Sequence, residues 1–229
     1  MLRKTLLVAG VLSSLLYVGI DLLAAARYGV YHSFTSLAIS ELGAIGAPTK
    51  QLVDPLFIVY GVLLIAFGVG VWTSADGRRL LRAVGALLIG IGVVGWLTPS
   101  MHLRGTGGVS EDVPHIVGTG VIVLFILAAI AIGATLYGRR FRFYSWATFV
   151  TLVLSGALTG VAAGHLAAGQ PTPWLGLVER INVYGYLLWV GVLAVTLMRK
   201  GTGQSAREPI SGSRADRAAL RRERLVATQ

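Results

Sequence analysis

Six long stretches of the chain are continuously apolar, and polar residues gather between them. The runs are Thr5 to Ala26, Val53 to Thr73, Leu80 to Thr98, His115 to Tyr137, Tyr144 to Leu166 and Ile181 to Met198. Crossing the hydrocarbon core takes about 20 apolar residues in a helix, so each run predicts one transmembrane helix. A membrane β-barrel would instead show short segments with alternating hydrophobicity, a pattern these runs lack. The expected fold is therefore all-α: an integral membrane bundle of six transmembrane helices over residues 1–200, followed by a basic, mostly disordered cytoplasmic tail over residues 201–229. Within that tail Ser213 and Asp216 have the spacing of a helix capping box.

Composition narrows the class further. Of 229 residues, 55% are hydrophobic and 13% charged, which cannot make a water-soluble surface. A large soluble catalytic domain is excluded by length once the spans are subtracted. There is no cysteine, so disulfides, thiolate nucleophiles and Cys-based metal sites are absent. The formal charge of +10 is explained by loop ends and anionic lipid headgroups before nucleic acid, which is not an expected partner.

Charge also orients the spans. One set of loop ends carries ten Lys or Arg, including the Arg78/Arg79/Arg82 and Arg139/Arg140/Arg142 groups. The other set carries four: Arg27, Lys50, Arg104 and Arg180. The positive-inside rule then places both termini in the cytoplasm and the chain in the plasma membrane. Arg3-Lys4 before the first run and Ala24-Ala25-Ala26 after it resemble a signal peptide, but the run is longer than a usual signal core and is read as a retained span. Asp21 lies near its outer end and is expected to reach the interface as a surface acid. Trp72, Trp96, Trp146 and Trp174 fall near expected interfaces, and Trp189 inside its span.

Small and hydroxylated residues suggest helix contacts. Gly156, Gly160 and Gly164 form overlapping GxxxG steps in the fifth span; they permit an oligomer, with packing inside one chain the favoured reading. Gly85, Gly90, Gly92 and Gly95 suggest packing in the third. Thr148, Thr151, Ser155, Thr159 and His165 share one side of the fifth span, where hydroxyls bond their own helix carbonyls or line a polar path outward to His165.

Candidate chemistry concentrates on the outer side, which holds all four histidines, His32, His102, His115 and His165, together with Glu41, Asp54, Glu111, Asp112 and Glu179. No span carries an ionisable group in its inner half, so a continuous proton relay is unsupported. In Asp112-Val113-Pro114-His115 the acid is placed to cap the fourth helix and also to orient His115, giving either a cap beside a surface histidine or a catalytic pair extended by His165. His102, His115 and His165 end three successive spans and could form a three-His zinc site with an open position, although their spacing matches no known ligand motif. Ser33, Ser36 and Ser40 oppose Phe34, Leu37, Ala38, Leu42 and Ile45 at helical spacing, predicting a helix on or re-entering the membrane, with Ser40-Glu41 as a potential nucleophile or ligand. Glu179-Arg180 reads as a local ion pair, and Asn182 and Tyr186 below it as an extension of a polar binding pocket.

The Ser40-Glu41-Leu42-Gly43-Ala44 segment, Pro99, His115 and Glu179-Arg180-Ile181 together resemble the bacterial six-span family called domain of unknown function 998, over roughly residues 1 to 200. The resemblance implies six helices and a membrane location, and brings no activity with it. An acid expected soon after Pro99 is replaced here by Ser100-Met101-His102. Serine, aspartate and histidines at one membrane face also resemble alkaline-ceramidase-like hydrolases, whose seventh span and histidine pair this chain lacks. The leading expectation is a non-enzymatic membrane protein with an outer polar pocket for a lipid headgroup or small molecule, in transport, sensing or assembly. The alternative is an outer-face membrane hydrolase, with or without zinc, that has Asp112, His115 and His165 at its centre.

Overall fold

The computed structural model describes residues 2–29 and 33–205. His32 and the anticipated tail helix after Ser213 lie outside them. Within them the protein is all-helical, with α1 (Leu2–Arg27), α2 (Lys50–Thr73), α3 (Arg79–Leu97), α4 (Val109–Ala134), α5 (Arg139–Ala167) and α6 (Leu175–Ser205). All six are long and apolar enough to cross a membrane. A single 3-10 turn, Ser40–Gly43, interrupts the α1–α2 connection, and one isolated bridge pairs Ile45 with His102.

All six helices begin before their apolar runs, α4 and α6 by six residues each. The α4 helix starts at Val109 because Glu111 reaches back to accept the Gly108 N–H at 3.0 Å, so its first turn is capped in polar sequence. The expected cap, Asp112, is engaged elsewhere. Similarly, α6 starts at Leu175, which puts Glu179 and Arg180 on a helix rather than in front of one. Pro55 and Pro114 are each the sixth residue of α2 and α4, beyond the first turn, and cannot donate the helix hydrogen bond to the carbonyl four residues back.

Neighbours in sequence are neighbours in space, and α1 closes the ring against α6. Connections are short at the end that carries the termini, 74–78 and 135–138, and long at the opposite end, 28–49, 98–108 and 168–174. We call the latter the capped end. The main core joins Phe67, Leu88, Ile130, Leu152, Trp189 and Leu193 from five helices, and a second cluster of Ile20, Ala24, Ile39, Leu42 and Val53 lies under the 3-10 turn. Trp189 is fully buried and donates its indole N–H to Ser145 Oγ at 3.0 Å, whereas Trp72, Trp96, Trp146 and Trp174 are exposed.

The tightest helix crossing is α2 on α3. A Cβ on Gly85 would lie 2.7 Å from the Trp72 nitrogen and 2.8 Å from the Gly68 carbonyl, so only glycine permits that approach. The GxxxG series of α5 behaves differently. A Cβ on Gly156 would meet Asn182 at 3.2 Å, but at Gly160 and Gly164 nothing lies within 4 Å. Close packing within the chain, expected along the whole series, stops at its first step because the buried stripe of α5 (Ser145, Thr148, Leu152, Ser155) faces another way.

Candidate functional site

The three long connections fold over the capped end and are tied there by two arginines. Arg180 in α6 meets Asp21 in α1 through two parallel bonds, Nε to Oδ2 at 2.9 Å and Nη2 to Oδ1 at 2.8 Å. Its third nitrogen donates to the carbonyls of Phe34, Leu37 and Gly176, and the guanidinium lies 3.8 Å from the Phe34 ring centroid. The Tyr184 hydroxyl completes the set on Asp21. Asp21 is 0% and Arg180 2% exposed, so this is a desolvated bidentate pair with its hydrogen-bonding capacity used. Asp21 is thus no surface acid. It sits nearly two turns below the end of α1, where the neighbouring helix α6 offers the counter-charge.

Arg104, from the α3–α4 connection, holds the second carboxylate. Its Nε donates to Glu41 Oε1 at 2.9 Å and Nη2 to Oε2 at 3.0 Å, while Nη1 reaches Thr172 Oγ1 at 3.1 Å and Nη2 the Ser36 carbonyl at 3.2 Å. One side chain therefore binds all three connections. Glu41 also accepts the Ala38 N–H at 2.7 Å and is fully buried. Beside it, burial and the Glu41 carboxylate push the Tyr28 hydroxyl above its ordinary pKa, with Arg104 opposing, so this phenol stays protonated.

Glu179 and Arg180 do not pair locally, because adjacent helical residues diverge by about 100°. Glu179 Oε2 accepts the Ile39 N–H, with Ser40 beside the same carboxylate. Ser40 and Glu41 therefore anchor the loop to α6 and to Arg104. The amphipathic helix anticipated for this segment is absent: backbone turns and one 3-10 turn replace it, and its acid points into the protein. Gly176 is required underneath, since a Cβ there would collide with the Leu37 carbonyl.

The histidines are dispersed. Asp112 Oδ1 accepts both the His102 backbone N–H at 2.8 Å and His102 Nδ1 at 2.9 Å, and Glu111 stands 4.0 Å from Nε2. Asp112 thus orients His102 instead of His115. The Nδ1 of His115 donates to the Pro99 carbonyl at 2.8 Å, pinning α4 to the end of α3. His165 is exposed near the end of α5. Among the described residues no group of three or more His, Asp or Glu side chains is placed to hold a metal ion. The zinc set envisaged from His102, His115 and His165 does not assemble, because two of these rings are committed to different partners and the third stands apart.

Below the cap the ring is incompletely filled. On α4, Asp112, His115, Thr119 and Ile122 continue the stripe that Ile126, Ala129 and Ile130 bury further along, yet none of the four is buried and Thr119 is exposed. On α5, Thr159, Ala162 and Leu166 continue the stripe of Leu152 and Ser155 and are only partly covered. Across from them Asn182 donates to the Leu152 carbonyl at 3.0 Å. The α5 hydroxyls bond their own helix: Thr148 to Tyr144, Thr151 to Ala147, Ser155 to Thr151 and Thr159 to Ser155. Polar groups on the continued stripes of α4 and α5 are thus left partly or fully exposed towards the capped end.

The family model described as "Protein of unknown function (DUF998)" matches residues 11–196. The chain belongs to the DUF998 family. No curated protein and no solved structure matches it. The family match spans all six helices and every residue of the DUF998 cap described above, Asp21, Glu41, Arg104 and Arg180 included. Two of these were invisible as a site in sequence: Arg104 registered only as a loop charge and Asp21 as an isolated acid. The one available signal was the number of acids on that side, since six carboxylates (Asp21, Glu41, Asp54, Glu111, Asp112 and Glu179) near one face demand cations close by.

Proposed function

We propose that this DUF998 protein is a non-enzymatic plasma-membrane protein, with both termini cytoplasmic, that holds the headgroup of an amphiphile in its outer half. The ligand enters sideways between α4 and α5. One observation carries this reading: on the stripe that packs deeper in the bundle, His115 is only partly covered and Thr119 exposed, which leaves room for a wedge-shaped gap beside α5. In a bilayer such a wedge is filled by lipid, and polar groups along it favour a headgroup or ester over an acyl chain. His115 binds Pro99 through Nδ1 and turns its other nitrogen to the ligand; Thr119, Thr159 and Asn182 supply further contacts. Ser40, Glu41, Glu179 and Arg180 act indirectly, by holding the lid above the wedge. Asp112 positions His102 in that lid, and His165 borders the entrance.

The test uses the full chain, extracted in mild detergent and weighed intact by native mass spectrometry. An amphiphile of defined mass should accompany the protein and be lost from Thr119→Trp and Thr159→Trp, whose indoles fill the wedge, while both variants keep their melting temperature. Retention in both folded variants would refute the site. Stoichiometric zinc that vanishes in His115→Ala would instead favour the hydrolase. Because the chain has no cysteine, single cysteines report topology directly: labels at Thr106 and Gln170 should react from outside the cell, and one at Gln204 only after permeabilisation.

A further inference from the structure

The opposite end of α5 carries a second surface that the wedge and its cap do not use. Arg139, Arg142, Phe143 and Trp146 line a shallow cleft of about 450 Å³. At 100° per residue these four fall within about 100° of arc, the arginines on the first turn and the rings on the second. Phe143 is 77% and Trp146 46% exposed, large aromatic faces that the described residues leave uncovered. Trp146 is braced by an edge-on contact with Phe149, ring centroids 5.3 Å apart. Neither arginine has an ion-pair partner among the described residues. Further along the same face, Val150, Val153 and Leu154 are exposed and purely apolar.

Read along the helix axis, the order is cations, aromatic rings, aliphatic side chains. A glycerophospholipid presents the matching order: phosphate, glycerol esters, acyl chain. The seven helical steps from Arg139 to Trp146 span about 10 Å, comparable with the depth from phosphate to ester. Two guanidiniums flanking one cleft suit the bidentate geometry of a phosphodiester better than a diffuse attraction does. We propose that this cleft is a binding site for one anionic glycerophospholipid of the leaflet facing the termini, its phosphate held between Arg139 and Arg142 and one acyl chain along Val150 and Leu154. Such a lipid also fixes the depth of α5, the helix whose far half is least held by its neighbours.

The experiment titrates the delipidated full-length protein with phosphatidylglycerol and reads bound lipid by native mass spectrometry. The wild type should take up one equivalent with preference over phosphatidylcholine. Arg139→Gln/Arg142→Gln should weaken it about tenfold, the scale expected for two lost guanidinium contacts at a membrane surface. Arg139→Lys/Arg142→Lys should recover only part, because lysine keeps the charge and loses the fork. A charge-matched control, Arg79→Gln/Arg82→Gln, should bind like the wild type. Equal losses in the control and the cleft variant would overturn the site in favour of general electrostatic attraction, as would full recovery with lysine. Displacement of the lipid by inorganic phosphate at equal concentration would equally refute lipid as the occupant. Unchanged melting temperatures in lipid-free detergent separate binding from folding.

Discussion

Arginines occupy both ends of this bundle and do opposite things there. At the capped end Arg104 and Arg180 lie against carboxylates from other helices and loops and bind the connections into a lid. At the terminal end Arg139 and Arg142 stand exposed beside a cleft. The difference lies in the acids. Six of the seven acids among the described residues, all but Asp76, sit at the capped end, so a guanidinium there finds its counter-charge within the fold, whereas Arg139 and Arg142 at the other end face the bilayer surface without an ion pair among those residues. Charge of a single chemical type thus becomes architecture in one place and a binding surface in the other.

Breaking the buried pair should have the largest effect. Asp21→Asn leaves Arg180 without an opposing charge and should destabilise by about 3–5 kcal/mol, read as a drop in thermal midpoint in detergent. The double variant Asp21→Leu/Arg180→Leu should recover much of that loss, and a double variant no better than the single would show the geometry of the pair to matter more than its desolvation. Next comes the α2–α3 crossing. Gly85→Leu forces two backbones apart and should cost about 1–3 kcal/mol, while Gly160→Leu, which meets open space, should change stability by less than about 0.5 kcal/mol. Comparable losses at the two glycines would mean that α5 packs on something outside this chain.

Comparable in size is the Arg104 clamp. Glu41→Gln should cost about 1–3 kcal/mol and loosen the lid, because a buried acceptor survives but the charge-assisted pair does not; proteolysis of the 98–108 connection should accelerate in step. His115→Ala removes one hydrogen bond, to the Pro99 carbonyl, and should cost about 1 kcal/mol. Arg139→Gln belongs at the end of the series, within about 0.5 kcal/mol of wild type, since its side chain supports nothing inside the protein. A large loss there would erase the contrast between the two ends.

The six spans were legible in sequence because helices in hydrocarbon must satisfy their backbone hydrogen bonds within one continuous apolar segment. Their exact starts were less so: Glu111 caps α4 six residues before the hydrophobic pattern begins, and Leu175 opens α6 ahead of its polar turn. Hydroxyls of α5 could be read correctly, as their partners lie four residues away. The charged network could not. Arg180 finds Asp21 across 159 positions of sequence and Arg104 finds Glu41 across 63, distances over which spacing carries no information. Asp112 illustrates the limit best: its helical register placed His115 within reach, but a loop brought both the backbone N–H and the ring of His102 to its Oδ1. Likewise Gly160 and Gly164 have the spacing of a helix contact, and only the direction of the buried stripe turns them away from one. Local pattern determines what must cross the membrane; which faces meet, and therefore which charges are used and which remain free, is decided by the closure of the ring.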